Sequence, residues 1–501
     1  MKVICLLCDS LNRHFLSFYP HDHADLGVNP AETPHLDWFA ERSAVFERHF
    51  SGSLPTMPTR REIWTGNYEF LWRPWGALEP WDRELPRIIR RNEILPMLIT
   101  DSYHLFERGS GNYHCGFEGW ELFRGFENDP WVTRPTEVPQ HKGNLVPRYA
   151  RNMLRMQREE DLPPAKTLRC VERWLQENRD REDFFLMIDE FAPHEPFNTP
   201  DYLVRKYDPD YRGPLFFWPE YGRNLYSTEE LRHLRATYAG HVTLVDKYIG
   251  RVFETMTNLD MWGDTAVILM TDHGHFLGEH GYTGKPNCPN YDTLAHIPLM
   301  IALPGDKGGK RIEALTANID IFATILDLFG LGPEAPVHGR SLLPLIRGEK
   351  KSVRDWTLYG YFGKFVNITD GRRTYFRAPV GAAAAGAGGD TDSSGPDAAQ
   401  LYVYSLCWEF GMTPKLPFAQ GVAVDRFMRD VDMPVGRLPL SSAEMAQGLH
   451  ESEHHLYDLE KDPEQLENLA GGAAETDCEK MLRRALEEVD CPKEQFGRLG
   501  L

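Results

Sequence analysis

The sequence predicts an α/β fold in which helices cover both faces of a mostly parallel sheet, with a smaller antiparallel subdomain toward the carboxyl end. Two apolar runs, at 2–8 and 265–271, have the pattern of buried strands. Between them, apolar residues at helical spacing over 168–175 lead into another strand pattern at 184–189. Repeated alternation of helices and strands is typical of a parallel sheet that is buried on both faces.

A change of pattern divides the 501 residues into two units. We expect 1–350 to form the larger α/β domain and 351–501 to form a smaller α+β subdomain. The second unit begins where shorter strand-like pieces appear, at 356–361 and 401–404. These pieces predict a smaller antiparallel sheet.

Two further segments of the second unit have a distinct composition. Residues 380–399 are almost entirely Gly, Ala, Asp and Ser. Such a segment buries too little apolar surface to offset its ordering entropy, so it predicts a flexible loop. The last 25 or so residues, which include 481–486, have the apolar spacing of a closing amphipathic helix.

The overall composition is that of a soluble globular protein, with 42% hydrophobic and 26% charged residues. The formal charge of −19 argues against a nucleic-acid partner, since no basic stripe offsets it. A small anionic substrate is still compatible, because Arg60, Arg61 and Lys285 can form a local positive pocket. No apolar run has transmembrane length and no leader pattern precedes the first strand, so we expect a cytoplasmic protein without a membrane partner. The oligomeric state is left open, a homo-oligomer included.

The eight cysteines lie at irregular spacing and predict no disulfide framework. Cys5 and Cys8 form a C-x-x-C pattern, but it lies inside the apolar run at 2–8 and has no second pair at the spacing of a zinc ribbon. We therefore expect these two residues to be core cysteines rather than a redox or zinc site.

Acidic residues follow the two apolar runs directly. Asp9 ends the first run, and Asp272 and His273 end the second. Ligands bind at the carboxyl ends of the strands in open α/β sheets, and this combination of oxygen and imidazole ligands suits Zn, Mn or Fe(II). An aspartate after a strand is also a common helix N-cap, so the residues alone leave both interpretations open.

A second candidate feature is the segment 53–66, which contains Thr56, Pro58 and Arg60. Pro58 suits a loop that enters a helix. The hydroxyl of Thr56 would then lie near the positive end of the helix dipole, where main-chain N–H groups face an incoming anion. Taken alone, this pattern also fits an ordinary proline-containing loop before a helix.

Together these motifs resemble the sulfatase family of the alkaline phosphatase superfamily. The run T-x-P-T-R at 56–60 resembles the family's C-x-P-x-R signature, with threonine in place of cysteine. The stretch at 271–285 is similar to the family's D-[NH]-G-x-x-L-G-E-H-G followed by a pocket lysine, and 193–197 resembles its P-H-x-P-F segment. With a further match at 456–463, the resemblance runs nearly end to end.

The resemblance implies an alkaline-phosphatase-like fold, a hydrolase, and a role for each matching residue. The family's cysteine becomes a formylglycine, which a threonine cannot form, so Thr56 would instead act as a metal-bound alkoxide nucleophile. Arg60 would orient this nucleophile and the ester. Lys285 would contact the sulfuryl or phosphoryl oxygens. His194 would lie near the leaving oxygen as a general acid or as a charge-stabilising hydrogen-bond partner, with a buried structural histidine as the alternative.

Several positions depart from the sulfatase pattern. His104 matches the histidine of the family's K-W-H-L-G segment and is a candidate catalytic residue, but the lysine of that segment is replaced by Ser102. Ser10 and His273 replace oxygen ligands that many sulfatases use for calcium. The metal ligands implied here are Asp9, Thr56, Asp272 and His273, which favour one divalent ion, Zn, Mn or Fe rather than Ca. This set of metal ligands is similar to that of phosphonate monoester hydrolases of the same superfamily.

Our leading hypothesis is a metal-dependent hydrolase of phosphate diesters or phosphonate monoesters. Thr56 would form a covalent intermediate that water then cleaves, and the pocket for a tetrahedral anion would also permit promiscuous sulfatase activity. One alternative is a sulfuric ester hydrolase of the arylsulfatase type that works without formylglycine. Another is a non-catalytic relative that binds a metal or an anion.

Overall fold

A computed structural model gives the fold of the chain. It describes residues 1–19, 28, 30–285, 289–306, 308–380, 401–406, 423–425, 435–440, 451 and 453–501.

The strands of the described residues are β1 (Lys2–Cys8), β2 (Ala44–Phe50), β3 (Ser53–Leu54), β4 (Pro96–Thr100), β5 (Gly119–Leu122), β6 (His141–Gly143), β7 (Phe184–Glu190), β8 (Leu215–Trp218), β9 (Gly222–Arg223), β10 (Thr265–Met270), β11 (Phe276–Leu277), β12 (Tyr282–Gly284), β13 (Leu299–Ala302), β14 (Lys310–Ala317), β15 (Thr357–Tyr361), β16 (Val366–Thr369), β17 (Arg373–Arg377), β18 (Leu401–Ser405), β19 (Ala423–Asp425), β20 (Val435–Leu440) and β21 (His455–Asp458).

The α-helices are α1 (Pro34–Ala40), α2 (Thr56–Thr65), α3 (Leu85–Arg91), α4 (Pro147–Asn152), α5 (Pro163–Asn178), α6 (Asp201–Tyr207), α7 (Thr228–Asn258), α8 (Asp292–Ala295), α9 (Asp320–Leu328), α10 (Leu343–Ile346), α11 (Ala473–Glu488) and α12 (Lys493–Leu499). Short 3₁₀ turns lie at Arg13–Phe15, Tyr103–Leu105, Met153–Arg155, Glu159–Asp161 and Glu279–Gly281. None of the helices described is long and apolar enough to cross a membrane.

The larger unit is built on an eight-stranded sheet with the order β14-β2-β13-β10-β1-β7-β4-β5. Its neighbouring strands are parallel except at β13, which runs antiparallel to both β10 and β2. The mostly parallel α/β sheet expected from the sequence is therefore confirmed. The order also places the carboxyl ends of β10, β1 and β7 side by side at the middle of the sheet.

Side chains of β1 alternate between the two faces of this sheet, and each face packs on helices. Ile4, Leu6 and Cys8 belong to one buried apolar cluster, which includes residues of α1, α5 and α7. Val3, Cys5 and Leu7 belong to the other, with residues of α2, α3 and α9. Cys5 and Cys8 are thus fully buried on opposite faces, as expected for core cysteines.

Beyond residue 350, the described residues form small, mainly antiparallel sheets, as the sequence predicts, and these residues contain two of them. β15 (Thr357–Tyr361) lies in a five-stranded sheet of order β21-β17-β16-β15-β3, whereas β18 (Leu401–Ser405) lies in a three-stranded sheet of order β18-β20-β19. The two strand-like pieces recognised in the sequence do form strands, but each pairs antiparallel with strands near it in the chain. β3, which directly precedes α2, pairs parallel with β15, so the second unit adjoins the segment that carries Thr56.

The closing helix is interrupted. α11 ends at Glu488 and α12 begins at Lys493, directly after Pro492. The two do not form one helix, because a proline cannot donate the main-chain hydrogen bond that a continuing helix requires. The loop expected at 380–399 lies outside the described residues apart from Val380. The division near residue 350 stays a prediction.

The buried centre of the sheet should dominate the stability of the fold. Leu186, in the middle of β7, is fully buried, and Leu186→Ala should lower the free energy of unfolding by about 2 to 5 kcal/mol because it leaves a cavity. The matched control is Leu466→Ala, since Leu466 is 71% exposed and its truncation should change stability by less than about 0.5 kcal/mol. Urea titration followed by circular dichroism measures both; equal midpoints for the two variants would contradict the packing described.

Candidate active site

The predicted metal ligands meet at the carboxyl ends of β1 and β10. Asp9, Asp272 and His273 are fully buried, and their ligand atoms lie within 4.8 Å of one another. His273 Nδ1 lies 2.9 Å from the carbonyl oxygen of Gly274, and burial lowers the pKa of this histidine to about 4. The neutral ring therefore donates from Nδ1 and presents the Nε2 lone pair. Nε2 has no hydrogen-bond partner among the described residues, so the cluster fits a divalent cation.

Arg60 joins these acids to the segment that carries Thr56. Its guanidinium is fully buried and lies 3.0 Å from Asp9 and 2.7 Å from Asp272. It also binds Asp189 at the end of β7 in a bidentate manner, at 3.0 and 2.7 Å. The Nη1 atom, which makes the contacts to Asp9 and Asp272, also lies 3.2 Å from the main-chain oxygen of Thr56. One arginine on α2 thus ties three adjacent strand ends together.

The pKa values of the two metal-site carboxylates are shifted in opposite directions. Burial and the neighbouring Asp272 raise the pKa of Asp9 well above its usual range. Burial also acts to raise the pKa of Asp272, but His273 and Arg60 outweigh it and lower this pKa below its usual range. Negative charge is therefore crowded at this point of the sheet, as in many sites that hold a metal ion.

Thr56 is the buried first residue of α2, at the positive end of the helix. The segment before it is fixed by polar contacts to the helix. Glu62 accepts hydrogen bonds from the main-chain nitrogen and the hydroxyl of Ser53, at 2.7 and 2.6 Å. Thr59 donates to the carbonyl oxygens of Ser53 and Pro55, at 2.5 and 2.8 Å. The position of Thr56 is therefore set by its own helix.

Lys285 and His194 form a second cluster together with Glu195. The Lys285 ammonium donates to His194 Nε2 at 2.5 Å and to Glu195 Oε1 at 3.2 Å. Burial alone would lower the pKa of Lys285, but Glu195 and then Asp9 raise it. Burial and Lys285 together hold the pKa of His194 well below its usual range. The pair therefore consists of an ammonium and a neutral imidazole, and its charge acts on Asp9 in the first cluster.

His104 is held differently from the other predicted site residues. Its Nδ1 lies 2.5 Å from Glu107 and its Nε2 lies 2.9 Å from Glu127. Burial would lower the pKa of this histidine, but Glu127 and Glu107 raise it to about 10. His104 is thus an imidazolium with both ring nitrogens engaged by carboxylates, and neither is left for a substrate while these contacts persist.

The two serines that replace family residues have different surroundings. Ser10 donates its hydroxyl to Asp9 at 2.9 Å and its main-chain N–H to Asp272 at 3.0 Å. It therefore orients both carboxylates of the cluster. Ser102 is fully buried, and its hydroxyl has no hydrogen-bond partner within the described parts of the chain.

Sequence reasoning did not include three acids of this site. Asp189 had a usable signal, because it also ends a buried strand pattern, as Asp9 and Asp272 do. Glu195 occupies the variable position of the P-H-x-P-F segment, and Glu127 lies in a loop without a motif. Their contacts join segments that are distant in the chain, and no local pattern indicates such contacts.

A separate cavity of about 500 Å³ lies at the other end of α2. Its walls include Thr65, Tyr68, Trp81, His338 and Trp356. Arg61, which was expected to join Arg60 and Lys285 in one positive pocket, lines this cavity instead and is paired with Glu69 and Asp82. None of the predicted catalytic or metal-binding residues lines it, so the cavity is not the site described above.

Comparison with known proteins gives the family. The family model described as Sulfatase matches residues 2–331. A multifunctional alkaline phosphatase superfamily protein, PehA of Trinickia caryophylli, is 27% identical over 68% of this chain and 76% of its own length. The choline-sulfatase of Rhizobium meliloti (strain 1021) is 23% identical over 75% of this chain and 77% of its own length.

A solved structure agrees with this assignment at the level of the fold. The phosphonate monoester hydrolase of Agrobacterium radiobacter superposes with a TM-score of 0.66 and 20% identity, covering 97% of this chain and 95% of its own. The family match extends over more than half of the sequence and includes Thr56, Arg60, Asp272 and Lys285. The protein therefore belongs to the sulfatase family and is an ester-cleaving hydrolase.

Proposed function

We propose that the protein hydrolyses phosphate diesters or phosphonate monoesters and that Thr56 is the nucleophile. The contact that best supports this is the one made by Arg60, which binds the main-chain oxygen of Thr56 at 3.2 Å and Asp272 at 2.7 Å. A buried hydroxyl residue at a helix N-terminus thus adjoins a cluster that fits a divalent cation. The fold shared with a phosphonate monoester hydrolase agrees with this substrate class.

The reaction would proceed in two displacements. A divalent ion held by Asp9, Asp272 and His273, with Thr56 as a further ligand, would favour loss of the hydroxyl proton and withdraw charge from the ester. Thr56 Oγ, its proton given to solvent, forms a bond to phosphorus while the bond to the leaving oxygen breaks. Water then adds to phosphorus, the bond to Thr56 Oγ breaks, and the threonine takes a proton from solvent.

Lys285 is the group we assign to the leaving oxygen. Its ammonium gives a proton to the departing alkoxide and regains one from the attacking water, so the overall reaction consumes one water. The neutral state of His194 argues against a histidinium acid at neutral pH. We therefore assign His194 the hydrogen-bonding role, in which its Nε2 orients the Lys285 ammonium.

A sulfuric ester hydrolase that works without formylglycine is the second candidate, favoured by the family match and by the choline-sulfatase relative. We rank it lower because a sulfated threonine lacks the easy elimination open to an aldehyde hydrate. The metal identity (Zn, Mn or Fe rather than Ca), the cytoplasmic location, the oligomeric state and the division of domains also stay predictions.

A substrate panel separates the two candidates. We expect purified enzyme to turn over an aryl phosphodiester or an aryl phosphonate monoester with a higher kcat/KM than the aryl sulfate that has the same leaving group. Initial rates at matched metal content and pH give this ratio. A clear preference for the sulfate would reverse the ranking.

Thr56→Ala should lower kcat by about 10³-fold or more, because it removes the attacking oxygen. Thr56→Ser should retain measurable turnover, since it keeps a hydroxyl at the same helix position. Thr65→Ala is the matched control, because Thr65 lies at the other end of α2 and its hydroxyl donates to the main-chain oxygen of Arg61. Steady-state hydrolysis of the best panel substrate measures all three; wild-type kcat in Thr56→Ala would exclude Thr56 as the nucleophile.

Removal of the metal should abolish turnover, and adding back Zn, Mn or Fe(II) should restore it. His273→Ala should lower metal affinity more than about tenfold. Losing only a residue that hydrogen-bonds to a metal ligand already lowers metal affinity or activity by about 10- to 100-fold. His275→Ala is a neighbouring control for metal content, because His275 is equally buried but lies outside the ligand cluster. Metal analysis of dialysed protein gives the contents; an unchanged content in His273→Ala would contradict the ligand assignment.

A further inference from the structure

A carboxylate that no motif indicates lies between two of the predicted catalytic histidines. Glu127 Oε2 lies 2.9 Å from His104 Nε2, and Glu127 Oε1 lies 3.6 Å from His194 Nδ1. The residue is only 8% exposed. Its φ is +39°, in the left-handed region that side-chain-bearing residues seldom occupy. Uncommon backbone conformations of this kind are concentrated at functional sites, where the surrounding contacts maintain them.

On the His104 side, Glu127 completes a pair of carboxylates around one ring. Glu107 binds Nδ1 and Glu127 binds Nε2, so both nitrogens must donate and the ring carries a proton. The ring is packed edge-on against Trp75 and Phe191, with centroid distances of 4.9 and 5.4 Å. These contacts leave the imidazolium little freedom to rotate, so it fixes Glu127 in turn.

On the His194 side, the carboxylate faces the nitrogen that points away from Lys285. His194 Nδ1 lies 2.5 Å from the main-chain oxygen of Glu195, and the Glu195 carboxylate lies 3.6 Å away on the same side. The ring stacks on Phe191 at a centroid distance of 4.2 Å. Negative charge on this side favours the tautomer with the proton on Nδ1. Nε2 is then the acceptor that orients Lys285.

We propose that Glu127 is a positioning residue that locks His104 as a cation and holds His194 in the tautomer that orients Lys285. The proposal rests on the roles given above to His194 and Lys285. Phe191, stacked on His194 and packed edge-on against His104, keeps the two rings in the relative position that one carboxylate can bridge.

The chain offers a matched pair of variants. Glu127→Gln removes the charge that faces both histidines while keeping the size of the side chain. Glu107→Gln removes a carboxylate from the same His104 ring, but the described contacts of Glu107 are with His104 and Ser110 and not with His194. Glu127→Gln should lower kcat by about tenfold or more with little change in KM, and Glu107→Gln should lower it much less.

The charged groups that face these rings determine the expected pH behaviour. Glu107 and Glu127 face His104, while Lys285, Glu195 and Glu127 face His194. In the wild type, His104 should titrate near pH 10, and either variant should lower that pKa. Only Glu127→Gln should also change the alkaline limb of the kcat profile.

Two kinetic outcomes would overturn the proposal. Equal losses of kcat in Glu127→Gln and Glu107→Gln would mean that Glu127 serves only as a counter-ion of His104. Unchanged kcat in Glu127→Gln would exclude a positioning role altogether.

A measurement on the wild type keeps the test independent of how the variants fold. In ¹⁵N-histidine NMR spectra at pH 8, His104 should be an imidazolium and His194 a neutral ring protonated on Nδ1. A neutral His104, or a His194 protonated on Nε2, would contradict the proposal. These spectra require no substrate. If no substrate of the panel were hydrolysed, the proposed function would be refuted, and the spectra would still test the protonation states that the proposal gives to His104 and His194.

Discussion

One buried guanidinium holds three buried carboxylates together, and the geometry of the site follows from this arrangement. Asp9, Asp189 and Asp272 end three adjacent strands, and all three contact Arg60. The formal charges of three acids and one arginine sum to two negative charges among fully buried side chains, where unpaired charge is costly. A divalent cation bound beside His273 would neutralise them. The same arginine contacts the main-chain oxygen of Thr56 at the start of α2, so one side chain links the charged cluster to the segment that carries Thr56.

Much of this centre could be predicted from sequence, because it follows from local rules. Buried apolar runs that end in an acid predict strands with ligands at their carboxyl ends, and Asp9 and Asp272 lie there. The same rule applied to Asp189 would have completed the set. The family resemblance identified Lys285 and His194. Their protonation states depend on burial and on Glu195, which occupies the variable position of the P-H-x-P-F segment.

The parts that were not predictable depend on tertiary contacts. His104 was expected to be a site residue, but its engagement by Glu107 and Glu127 is set by a loop without sequence periodicity. The second unit divides into two small sheets because β15 and β18 pair with different strands, a choice that alternation of apolar residues does not encode. Pro492, in contrast, is a local signal for the break in the closing helix, and our prediction of one closing helix overlooked it.

We propose that the buried cluster serves a threonine nucleophile in an ester hydrolase. The most direct test of this proposal is mass spectrometry of enzyme quenched in acid during turnover of an aryl phosphodiester or phosphonate monoester, followed by peptide mapping. We expect a phosphoryl or phosphonyl adduct on the peptide that contains Thr56. An adduct on another residue would contradict it. So would burst-phase release of the leaving group while the Thr56 peptide stays unmodified.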